Sequence, residues 1–141
     1  MNSDDILSIL TKSQWQGDDS SKYEVYYLHI IDDQVITSRM VHKEHHTRIG
    51  DGTCDHPWQD HGSLPHYFDQ AVLERGLQEI ADGNTSACRV PFTHMAGNTD
   101  GGFIHHKLKD EFFEIARLES GQYEIRLISG GRITETYKPS D

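Results

Sequence analysis

Apolar and polar positions alternate with two different periods along this chain, and the changes of period divide it into elements. Near the start, Ile6, Ile9 and Leu10 recur at i, i+3 and i+4 behind Ser3, Asp4 and Asp5. That spacing predicts a short helix capped by Ser3, with two carboxylates at its N-terminal dipole, ending near Gly17. Tyr23 to Ile31 then carries Tyr, Val and Ile on both faces, the composition of a strand covered on both sides. Asp32-Asp33 interrupts the run and β-favouring residues resume from Gln34 to His42, which predicts a hairpin around an Asp-rich turn.

From 43 to 65 periodicity is lost, and Gly50, Gly52, Pro57 and Gly62 punctuate a segment that reads as one long irregular loop. Ser63 and Pro65 suit the start of a second helix. Phe68, Val72, Leu73, Leu77, Ile80 and Ala81 trace its apolar face, and Gly83 supplies a stop. Gly76 inside that helix costs about 1 kcal/mol relative to Ala, which suggests a close approach to a neighbour.

Ala87 to His94 alternates Cys88, Val90 and Phe92 with Arg89, Pro91 and Thr93. Pro91 cannot donate to a ladder, so this strand is expected at an edge or a bulge. After a second loop, Gly97 to Gly102, the spacing of Leu108, Phe112 and Ile115 predicts a third helix closed by Gly121. Tyr123, Ile125 and Leu127 then alternate with Glu124 and Arg126. Ser129-Gly130-Gly131 turns the chain, and Ile133 to Tyr137 returns as a partner.

The expectation is therefore an α+β fold. It has an antiparallel sheet of about five strands, two hairpins plus a single strand, with about three helices on one face, all in a single domain spanning 1–141. Two sequence-adjacent hairpins and no alternating βαβ pattern argue against a doubly wound nucleotide-binding sheet.

Composition narrows the partners. Among 141 residues, 23 are acidic and 13 basic, for a formal net charge of -10. Such a surface opposes a nucleic-acid backbone or an anionic membrane and favours a basic protein partner. Mean hydropathy is -0.68, and no apolar stretch approaches the roughly 20 residues of a bilayer helix. With a polar start and two cysteines, Cys54 and Cys88, a cytoplasmic location is the expectation.

Ten histidines are the most unusual feature, and six of them, His42, His45, His46, His56, His61 and His66, lie in or beside the first long loop. Imidazole and thiolate ligate zinc and similar divalent ions, so His45, His46, Cys54, His56 and His61 form a candidate metal set, with Asp55 or Asp60 as a base or supporting group. Their spacing matches neither C-x-x-C nor H-E-x-x-H. A second concentration comprises His94, Asp100, His105 and His106. Cys88 shares an apolar face with Val90 and Phe92 and reads as a small core residue rather than a nucleophile. Ile49-Gly50-Asp51-Gly52 and Gly97 to Gly102 lack the lysine of a P-loop and the order of a dinucleotide fingerprint.

Three functions fit these residues. The first is a small acidic binding protein that docks on a basic partner and inhibits or neutralises it, needing no cofactor. The second is a metal-dependent hydrolase using loop histidines around a divalent ion such as zinc. The third is a small-molecule binding domain with Trp58 and Tyr67, next to Phe68, lining a pocket under the long loop.

Overall fold

A computed structural model describes residues 2–42, 44, 58–97 and 103–140. Eight strands run β1 Trp15–Gly17, β2 Glu24–Ile31, β3 Gln34–His42, β4 Trp58–Phe68, β5 Ala87–Gly97, β6 Phe103–Arg117, β7 Tyr123–Ser129 and β8 Arg132–Pro139. Helix α1, Ser3–Lys12, precedes β1, and α2, Gln70–Ala81, joins β4 to β5. Each strand pairs antiparallel with the next, and β8 pairs with β1 through Gly17↔Tyr137 and Trp15↔Pro139, closing a barrel. Between β4 and β5 the ladder consists only of Tyr67↔Thr93 and Phe68↔Phe92, so closure covers the strand edges at the end of β4 and leaves its earlier residues without a β5 partner.

This architecture corrects the expectation of a five-stranded sheet with three helices on one face. The largest error concerns 107–121. Phe113 and Ile115 are buried while their neighbours Phe112 and Glu114 are not, a period of two that the helical spacing of Leu108, Phe112 and Ile115 conceals. Asp110 adopts φ 61, which no α-helix interior accommodates. Between the pairs Pro91↔Phe112 and Thr93↔Lys107, residues 108–111 face Phe92 alone, so β6 bulges and bends. Pro91 lies beside that bulge, as its missing N–H suggested.

The second correction concerns 58–68, assigned to loop and helix start. Leu64, His66 and Phe68 alternate along β4, which pairs with β3 from His42↔Trp58 to Gln34↔Tyr67. Asp69, not Ser63, caps α2, its carboxylate accepting from the Ala71 N–H at 3.0 Å. At α1 the cap is Asn2 rather than Ser3, in a reciprocal capping box with Asp5, and the helix ends at Lys12. The turns at Asp32 (φ 49) and at Gly130-Gly131 (φ 60 and 78) are those expected of the two hairpins.

The helices plug one end of the barrel. Ile6 and Leu10 from α1 and Leu73, Leu77 and Ile80 from α2 are fully buried in one core with Leu28, Ile30, Val35, Phe68, Val90, Phe113, Ile115 and Ile125. Trp15 is buried among them and its indole N–H donates to the Leu10 carbonyl at 2.9 Å, tying β1 to the helix before it. A Cβ on Gly76 would lie 2.8 Å from the Cys88 Cβ and 2.9 Å from its Sγ, so this glycine lets α2 sit directly on β5. With the helical end filled, the opposite end of the barrel is where a site can form.

Candidate functional site at the open end of the barrel

At that end the interior is not filled. A cavity of about 500 Å³ lies between β2, β3 and β4 on one side and β7 and β8 on the other. Its apolar wall includes Leu64 and Leu127; Leu64 is 66% exposed although it alternates with core-facing Phe68, so what it faces is the cavity rather than packed protein. The polar wall includes Tyr26, Thr37, Arg39, Thr134, Glu135 and Tyr137. A register shift between β7 and β8 leaves Thr134 unpaired between Ile133 and Glu135, and this bulge brings both Thr134 and Glu135 into the wall. A smaller space of about 130 Å³ adjoins it beyond Leu127 and Thr134, floored by His66 and Phe92.

The electrostatics of the wall are set by two arrangements. Arg39 on β3 forms an ion pair with Glu24 on β2, its neighbour two rungs along the ladder, through one terminal nitrogen, while its buried Nε has no hydrogen-bond partner among the described residues. Glu135 stands among acids. Asp18 and Asp19, in the turn after β1, place their carboxylate oxygens within 4.8 Å of those of Glu135, and three carboxylates so placed can hold a metal ion. The Asp19 N–H donates to Glu135 Oε1 at 3.2 Å, and the Thr136 N–H donates to Asp18 Oδ1 at 3.1 Å. Burial, then the contact with Asp18, pushes the Glu135 carboxyl up to about 8, while the hydrogen bond from Glu135 holds Asp18 below the usual carboxylate range. The pair thus keeps one proton at neutral pH, on Glu135.

Two phenol rings border this carboxyl. A Cβ built on Gly17 would meet Glu135 Oε1 at 2.6 Å, the Tyr26 Cβ at 3.0 Å and Tyr137 Cε1 at 3.2 Å, so three side chains converge on the space left by a missing one. Burial, reinforced by Glu135 and Asp18, holds the Tyr137 hydroxyl well above its ordinary range and therefore neutral. His66 stacks on Phe92 with ring centroids 4.8 Å apart; its burial lowers its affinity for a proton, partly opposed by Glu111. No family model, characterised protein or solved structure matches this chain.

The residues singled out by the sequence are distributed differently. Of the metal set, His45, His46, Cys54 and His56 lie outside the described residues, as do Asp51, Asp55 and Asp100. His61 is exposed on β4 and contributes to the cavity wall. Asp60 accepts from the Gly62 N–H, two residues further along β4, at 2.8 Å. Trp58 is half-buried at the barrel rim, edge-on to His42 at 4.9 Å, and is not part of the cavity wall. Tyr67 alternates with inward His66 and Phe68 and so lies on the outer face, while Phe68 packs edge-on against Phe113 in the core. His94 and His106 are cross-strand partners with ring centroids 6.0 Å apart on the β5–β6 hairpin. Cys88 is packed against the core and burial pushes its thiol up to about 11.

Sequence reasoning missed Tyr26, Glu135 and Tyr137. One signal was available: Glu135 occupies the same parity as Tyr137 on a strand whose partner presents Ile125 and Leu127, so a carboxyl points where an apolar residue is the usual occupant.

Proposed function

We propose that this domain binds a small amphipathic molecule in the open end of its barrel. The observation that carries the reading is the unfilled interior: eight-stranded barrels either pack their lumen with side chains or hold one small ligand, and here about 500 Å³ is left between β2–β4 and β7–β8. That volume lies in the range of small-molecule sites, and its mixture of leucines with a few convergent hydroxyl and carboxyl groups is the usual chemistry of such walls. The third function read from the sequence is thus retained, with a different set of residues: Tyr26, Leu64, Leu127, Glu135 and Tyr137 in place of Trp58 and Tyr67.

Docking on a basic partner draws support from the net charge of -10 alone, and a zinc-dependent hydrolysis by loop histidines draws on His61 alone among the described residues. Neither has a geometry comparable to the cavity behind it.

The test is a saturation titration with the neutral dye Nile red, whose fluorescence rises in apolar surroundings. The wild-type chain is expected to bind one dye per barrel. Leu64→Trp, a change at a side chain with room around it, is expected to fill the cavity and abolish binding without loss of thermal stability. Equal binding by wild type and Leu64→Trp would remove the basis for the reading.

A further inference from the structure

We propose that His94 and His106 form a bidentate site for a divalent transition-metal ion of the kind imidazole prefers: copper, nickel or zinc. The site is independent of the binding reading above, since neither histidine lines the cavity or the smaller space beside it.

The ladder places the two rings together. His94 on β5 and His106 on β6 are direct cross-strand partners, one rung beyond Thr93↔Lys107 in a pairing that continues to Gly97↔Phe103. Partners in an antiparallel pair project from the same face with Cβ atoms about 5 Å apart, and here the ring centroids are 6.0 Å apart with planes inclined at 38°. Two imidazoles that share an ion at about 2.1 Å and a tetrahedral angle have their centroids about 5 Å apart. Side-chain rotation that closes the pair by about 1 Å therefore completes the geometry.

Both side chains are exposed, because the β4–β5 ladder ends at Tyr67↔Thr93 while β5 and β6 run on past it. Exposure lets an ion reach them and spares the site the cost of burying its charge. Lys107, one residue along, belongs by strand alternation to the opposite face, so its ammonium does not stand against the ion. The one group of three metal-ligating side chains among the described residues is Asp18, Asp19 and Glu135, so the histidine pair leaves the remaining coordination positions to water.

Placement on paired strands supplies the affinity. Once one imidazole holds the ion, the ladder keeps the other within reach, and this raised effective concentration strengthens binding about 100-fold over a single histidine. The ion in turn clamps β5 to β6 beyond the bulge at 108–111.

The experiment adds copper(II) chloride in substoichiometric amounts to ¹⁵N-labelled protein at neutral pH, because a bound paramagnetic ion broadens the amide signals nearest to it. The signals of Thr93, His94, His106 and Lys107 are expected to vanish first. In His94→Asn and in His106→Asn, equal broadening of Thr93 and Lys107 is expected to need about 100-fold more copper, since each change leaves one imidazole. The wild-type map stands as a test without either variant. Broadening that begins elsewhere, for example at Asp18 and Asp19, would overturn the proposal, as would either variant responding at the same copper concentration as wild type. Neither result bears on dye binding in the cavity.

Discussion

Replacing Glu135 by Gln should change how the stability of this protein depends on pH, and the magnitude follows from the carboxyl's environment. In the unfolded chain a glutamate titrates near 4.5, and in the folded barrel burial and Asp18 raise the value to about 8. The folded state therefore keeps a proton that the unfolded state has released, and the stabilisation is full below about pH 4.5 and is lost as pH rises through about 8. Between pH 5 and 9 the linkage relation gives an upper bound of about 4 kcal/mol, at about 1.4 kcal/mol for each pH unit in which the states differ by one proton. Glu135 borders a solvent-reached cavity, and screening there reduces the expected loss to about 2 kcal/mol. Urea denaturation of wild type and Glu135→Gln at pH 5, 7 and 9 measures it: the wild type should lose about 2 kcal/mol more than the variant across that range. Parallel pH profiles for the two proteins would refute the raised Glu135 carboxyl.

Two further perturbations test the packing that leaves the cavity at one end. Gly76→Ala gains about 1 kcal/mol of helix propensity but forces a Cβ to within 2.8 Å of Cys88; overpacking of this kind costs about 1–3 kcal/mol, so thermal unfolding should show a net loss. In a Cys54→Ser background, Cys88, whose thiol burial pushes up to about 11, should react with a thiol reagent at pH 8 far more slowly in folded than in urea-unfolded protein. Equal rates would mean that the thiol is not held in the core.

The parts of the fold that could be read from the sequence are the ones made by near neighbours. The β2–β3 and β7–β8 hairpins are each specified by a short turn between two apolar runs, and α2 by a face that repeats from Leu73 to Ile80. Elements whose pattern is interrupted could not be read. In β6 the bulge at 108–111 breaks the alternation, and the residues on either side happen to fit a helical repeat equally well. In β4, Gly62, Ser63 and Pro65 mimic loop chemistry, yet the strand is held by its ladder with β3. β1 is three residues long and owes its existence to β2 and β8, which lie far along the chain.

Closure of the barrel is non-local in the same way, and the site inherits this. Tyr26, Leu64, Leu127 and Glu135 come from four different strands, and no spacing in the sequence associates them. The histidines attracted notice because they are numerous and close in sequence, but those that are described are spread over the rim, the cavity wall and the β5–β6 hairpin. A carboxyl at an inward strand position was the informative signal.

Where a ligand sits distinguishes a site inside the barrel from one on its outer face. Backbone amide chemical shifts followed by ¹H–¹⁵N correlation spectroscopy during titration with Nile red would locate it. Saturable changes concentrated at Gly17, Tyr26, Thr37, Leu127 and Glu135 are the predicted result. Changes confined to outer-face residues such as Tyr67 and Arg89, or no saturable change at any residue, would contradict a binding site inside the barrel.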